Sequence, residues 1–329
     1  MSRVCQSFTH YAVVAVAIAC LLVLQSNSWA QEQSPLMVTD GVYQAHILPT
    51  VTQALELSPD NGPLIYHAGG PVMTGPVALY AIYWVPAHLQ NGGATSLSTR
   101  YQSVQANLLG YYPAHGLDNN NTQYYQTVNG STTYITNTGG LAGFYVDTNP
   151  YPASGCNDLL TPGNCISDTQ IQAEIQRVMT LKGWTGGINK IFVLFTSSGE
   201  GSCMGTACAY VNYCAYHSFI PGTTPIFYTN EPYGEVGYCQ IQGVPSPNND
   251  SAADTAATAA SHEISEAITD PMLNAWYTAQ GNEIGDLCIY KYGLNSWDAS
   301  KANQDWAGHI FELQMEFDNH TNGCVQLGP

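Results

Sequence analysis

Apolar and polar positions divide the chain into blocks of different period. GPVALYAIYW, ending at Trp84, and KIFVLFT at 190–196 are near-continuous apolar runs, and each predicts a buried strand. Between them, Tyr101, Val104, Leu108 and Leu109 recur at helical spacing within SLSTRYQSVQANLLGYY. Ile171, Ile175, Val178 and Met179 do the same behind Ser167 and Asp168, which can cap a helix. Residues 113–152 are rich in Asn, Thr, Tyr and Gly, with alternation around TTYIT, and predict hairpins and loops. The Gly-, Pro- and Cys-rich stretch 198–248 predicts irregular structure held by disulfides. A long Ala-rich helix opens at Asp250 or Ser251 and must end before Pro271. GNEIGDLC and a strand-like HIFELQMEFDN close the chain. This order predicts a single mixed α/β domain over 61–329, preceded by an extended, weakly structured leader at 31–60.

The N-terminus changes the setting. Arg3, an apolar run from Tyr11 to Leu24, and small residues at Ser28 and Ala30 read as a signal peptide over 1–30. The run is short for a membrane span, so the expected product is secreted, extracellular or periplasmic, with no membrane insertion of the mature chain. Eight cysteines remain after cleavage: Cys156, Cys165, Cys203, Cys208, Cys214, Cys239, Cys288 and Cys324. An even number in an exported chain predicts disulfides, with Cys156–Cys165 and Cys288–Cys324 paired by proximity. Six Lys and Arg against 24 acids leave a mature charge of about −18, which excludes binding to nucleic acid or anionic membranes.

Candidate chemistry concentrates in TAASHEISEAITDP, 258–271. On a helix His262 and Glu266 share a face, while Glu263 projects beside any ion they hold. The pattern is that of a zinc-peptidase helix, H-E-x-x-H, with its second His replaced by Glu. His262 and Glu266 would be ligands, Glu263 the general base, and Glu283 or Asp286 the third ligand. Asp270, four residues past Glu266, would orient a ligand. Zinc is the expected ion, with calcium as the alternative for so acidic a cluster. The bland alternative is a polar helix face. His67, His217 and His309 are weaker candidates, each expected as a hydrogen-bonded histidine of the partial core. The serines of TSSGEGSC lack the G-x-S-x-G pattern of a nucleophile elbow. Asn120, Asn129, Asn249 and Asn319 lie in glycosylation sequons. From the residues alone, the first expectation is a secreted zinc-dependent hydrolase, a metallopeptidase of zincin-like architecture, acting on a peptide or cell-wall substrate.

Several stretches in order resemble the exordium (phosphate-induced protein) family. They are LIYHAGGPVMTGPVALYAIYW, YQSVQANLLGYY, CMGTAC, VPSPNND, AITDPMLNAWY and HIFELQMEFDNHTNGCVQ, spanning residue 60 to the end. The resemblance implies an extracellular, growth-associated protein without firmly assigned chemistry. It implies a second expectation, a non-catalytic extracellular or wall-associated binding protein, possible ligands being glycans. Plant members carry a T-N-P ending and lack the His-Glu pair where this chain has His262, Glu263, Glu266 and Asp270.

Overall fold

The computed structural model describes residues 34–293 and 301–329. The expected signal peptide, 1–30, lies outside the described residues. The fold is mixed α/β around one seven-stranded sheet, whose strands are here numbered in chain order. They are β1 (Met37–Thr39), β2 (Gln44–Pro49), β3 (Val77–Trp84), β4 (Gly139–Asp147), β5 (Lys190–Thr196), β6 (Tyr213–Ile220) and β7 (Ile226–Glu231). Across the sheet they run β1-β2-β6-β7-β5-β3-β4. The β7-β5-β3-β4 half is parallel, while β1, β2 and β6 add as an antiparallel flank. β3 and β5 are the apolar runs expected from sequence, and covering both faces is what such runs require.

Three helices supply that cover. On one face lie α1 (Thr99–Tyr111), through Tyr101, Val104, Leu108 and Leu109, and α3 (Ser251–Thr269). On the other face α2 (Asp168–Lys182) packs Ile171, Ile175, Val178 and Met179 against Ile82, Phe192 and Leu194. Each helix starts as its sequence dictates. Ser98 and Asp250 accept the N–H of Tyr101 and Ala253, and Ser167 forms a capping box with Gln170. Every residue of α3 from Ala253 to Thr269 is buried. Its alanines allow close approach to the sheet, so even its polar residues sit in the interior.

Two expectations fail here. Residues 31–60 are not an extended leader where described: β1 and β2 form the flank of the main sheet, and Ala45, Ile47 and Leu48 are core residues. The segment 198–248 is not irregular throughout, because it contains β6 and β7. Their burial on both faces erases the alternation that would have announced them. The expected hairpin appears as Tyr125–Val128 paired with Ser131–Tyr134, and β4 follows it as an edge strand. HIFELQMEFDN divides into two short strands, each in its own hairpin. All eight cysteines are bridged, as Cys156–Cys165, Cys203–Cys208, Cys214–Cys239 and Cys288–Cys324. No helix among the described residues is long and apolar enough to cross a membrane.

Candidate metal centre

The face of the sheet beneath α3 carries two histidines that sequence spacing could not join. His217 on β6 is the register partner of His46 on β2, so both rings project from the same face of neighbouring strands. Their centroids are 5.9 Å apart. α3 lies above them and lowers His262, Glu263 and Glu266 toward the pair. The loop after α3 returns Glu283 and Asp286. Seven ionisable side chains therefore converge, six of them with no exposure and Asp286 with 1 %.

Glu266 is the hub. Its Oε1 lies 3.1 Å from His262 Nε2, and its Oε2 lies 3.5 Å from Nδ1 of both His46 and His217. Glu283 spans the two strand histidines, 3.9 Å from His46 Nδ1 and 3.6 Å from His217 Nε2. Asp286 is 3.5 Å from His46 Nε2 and 3.8 Å from His262 Nε2, and it also accepts the Glu283 N–H at 2.6 Å. Glu263 is fully engaged: Oε1 accepts the Leu48 N–H at 3.0 Å, and Oε2 faces His217 Nδ1 at 3.2 Å. Leu48 can give up its N–H because the β2–β6 ladder is interrupted by a bulge between Tyr213 and Ala215. Gln314 reaches in from the C-terminal segment, its Nε2 2.9 Å from both His262 Nδ1 and Gly285 O. Gly285 must be glycine, since a Cβ there would stand 2.4 Å from His262 Nδ1. Asp270 closes the turn after α3 by accepting the N–H groups of Asn274 and Ala275, and its charge is felt by Glu283.

So dense a buried cluster cannot be fully charged by itself. Burial and the neighbouring Glu266 push Glu263 far above the usual carboxylate range, and burial with Asp270 and Glu266 does the same to Glu283. Burial and Glu266 raise Asp286 to about 7. Burial also opposes charge on Glu266, yet His262, His217 and His46 hold it well below the ordinary value. For His46, burial is outweighed by Asp286 and Glu266, and the imidazole rises to about 9. His217 is lowered by burial. Nδ1 of His46, Nε2 of His217 and Oδ1 of Asp286 make no hydrogen bond among the described residues. Buried polar atoms are rarely left so, and mixed imidazole and carboxylate donors at these separations suit a divalent ion.

All five residues expected from the helix and the return loop are thus brought together. His46 and His217 join them from the sheet, His217 as the buried, hydrogen-bonded histidine expected from the sequence. His67 instead stacks on Tyr277 and His309 packs on Tyr111, away from the cluster. Ser197 bonds to the Ser96 carbonyl and Ser202 to the Tyr213 hydroxyl, so neither is paired with a base.

No family model matches the chain, and no solved structure matches it significantly. Two Arabidopsis thaliana proteins do. Protein EXORDIUM-like 5 is 37% identical over 93 residues, 27% of this chain and 22% of that protein. Protein EXORDIUM-like 3 is 36% identical over 95 residues, 28% of this chain and 22% of that protein. The match spans about a fifth of the length of these relatives. Over that stretch the resemblance read from the sequence stands, and the family these matches support is the exordium-like one.

Proposed function

We propose that the chain is an exported, exordium-like, non-catalytic binding protein of the cell surface or wall, in which one buried zinc ion ties α3 to the sheet. The burial of the cluster carries this reading. A catalytic zinc keeps a position open to substrate, whereas a closed site serves the fold, and six of the seven side chains here have no exposure. Glu263 supports it too, since both its oxygens are engaged and neither is left to take a proton from water. Imidazole donors favour zinc over calcium, which takes oxygen ligands. Four disulfides suit an oxidising compartment. Few charges and many polar uncharged residues suit contact with a neutral wall polymer.

One observation favours the hydrolase reading. A cleft of about 410 Å³, lined by Leu57, Asp60, Asn282 and Lys291 among others, reaches Asp286 at the edge of the cluster. Elemental analysis of the purified chain, with assays against an unfolded protein and wall polysaccharide, separates the two. We expect one zinc per chain and no hydrolysis. Zinc-dependent cleavage that Glu263→Gln abolishes would establish the peptidase and overturn the structural reading.

A further inference from the structure

The hydrogen bonds around the three imidazoles fix which ring nitrogens carry hydrogen, and so which can hold an ion. Gln314 decides the first. Its Oε1 accepts the Tyr290 N–H at 2.9 Å, which fixes the amide orientation, and its Nε2 donates to Gly285 O. The same Nε2 faces His262 Nδ1 at 2.9 Å, so Nδ1 accepts and the ring hydrogen sits on Nε2, toward Glu266 Oε1. His262 then has no lone pair turned to the cluster. The strand histidines are the reverse. His217 Nδ1 faces two carboxyl groups, Glu263 Oε2 at 3.2 Å and the ionised Glu266 Oε2 at 3.5 Å, so its ring hydrogen sits there and the fully buried Nε2 is bare, 3.6 Å from Glu283. His46 Nε2–H points at Gly281 O at 3.3 Å, so an ion would meet this ring at the buried Nδ1, 3.5 Å from Glu266, in place of that nitrogen's proton. An imidazole whose outer N–H is held by a carboxylate or carbonyl, with its inner nitrogen bare, is the arrangement ligating histidines adopt.

We infer that the metal site is built on the sheet rather than on the helix motif, with His46 Nδ1, His217 Nε2, Glu266 and Glu283 as ligands of one divalent ion. His262 and Glu263, the two residues that make the sequence look like a peptidase, are positioning residues. Glu263 fixes the tautomer of His217, and His262 holds Glu266 in place. Two ligating carboxylates neutralise the charge of a divalent ion, which suits a site closed to water. The inference rests on the proposed metal centre and goes further by reassigning its ligands.

The test uses the wild-type full chain labelled with ¹⁵N-histidine and loaded with ¹¹³Cd²⁺. Cadmium coupling is expected at His217 Nε2 and His46 Nδ1, with His262 uncoupled and protonated at Nε2. Coupling at His262 would overturn this assignment while leaving the metal centre standing; failure of the chain to bind Cd²⁺ or Zn²⁺ at all would overturn both. Variants give a second readout. His262→Ala should keep one zinc per chain, while His217→Ala and His46→Ala should lose it; the opposite pattern in folded variants defeats the assignment. Glu263→Ala should weaken zinc binding ~10–100-fold and shift the His217 Nδ1–H resonance. Glu263→Gln, whose amide oxygen still accepts that hydrogen, should restore most of both. A loss of stability with an unmoved resonance would reduce Glu263 to packing.

Discussion

The two faces of the sheet bury carboxylates in opposite ways, and β6 serves both. Tyr216 points to the α2 face and His217, its neighbour, to the α3 face. Under α2, Asp168 is buried, yet its Oδ1 accepts the hydroxyls of Tyr216 and Tyr228 at 2.7 and 2.6 Å, and its Oδ2 accepts the Gln172 amide at 2.6 Å. Neutral donors from the protein surround that charge. Under α3, four carboxylates meet three imidazoles, and His217 Nε2 and Asp286 Oδ1 lack hydrogen bonds. The first arrangement is complete in itself, whereas the second leaves buried atoms for which an ion is the natural partner. Burial alone therefore does not mark a metal site; the distinction is whether the surrounding donors are sufficient.

The largest test of this contrast is metal removal. Chelation should lower the melting temperature by about 10 °C or more if the ion is held a thousandfold below its ambient concentration. The loss should disappear in His217→Ala, and the check is calorimetry with and without EDTA. Asp168→Ala should cost about 3 kcal/mol, because three buried donors lose their acceptor at once. Denaturant melts measure it, and zinc content should stay unchanged; a variant that loses zinc would break the separation of the faces. Gly285→Ala sets a methyl against His262 and should cost about 1–3 kcal/mol by overpacking. Under the ligand assignment above it weakens zinc binding without abolishing it, which equilibrium dialysis reads.

The smallest effect concerns a third way of burying an acid. Glu200 has no exposure, and burial, only partly offset by the Gln90 backbone N–H, pushes it from 4.5 to about 8. Because the folded value is raised, its contribution to stability is fully present below pH 4.5 and is lost as pH rises toward 8. Glu200→Gln should flatten the decline in melting temperature between pH 5 and 8 by a few degrees. An unchanged pH profile would show that the carboxyl finds a partner of its own.

The helix side of the cluster was legible in the chain. His262 and Glu266 share a helical face with Glu263 beside them, Asp250 caps the helix, Pro271 ends it, and Glu283 and Asp286 return at useful spacing. The strand side was not. His46 and His217 are single polar residues in short buried strands, and their relation exists only through the β2–β6 register. Local pattern carries no information on which distant strand will pair. The same limit hid β6 and β7, whose two-sided burial removes alternation. Cys156–Cys165 could be paired from proximity, but Cys214–Cys239 depends on the fold that brings β6 to the loop after β7.

The register pair His46–His217 also bears on the order of events as the chain folds. His46 comes from near the start of the described chain and meets Gly281, 235 residues later. A cluster that draws on β2, β6, α3 and the return loop has very high contact order, and only its His262–Glu266 and Glu283–Asp286 pairs are local. No N-terminal fragment ending before Glu283 contains the whole donor set. On the proposed reading, zinc would therefore be loaded only after almost the entire chain is available, a late, locking step rather than a nucleus for folding.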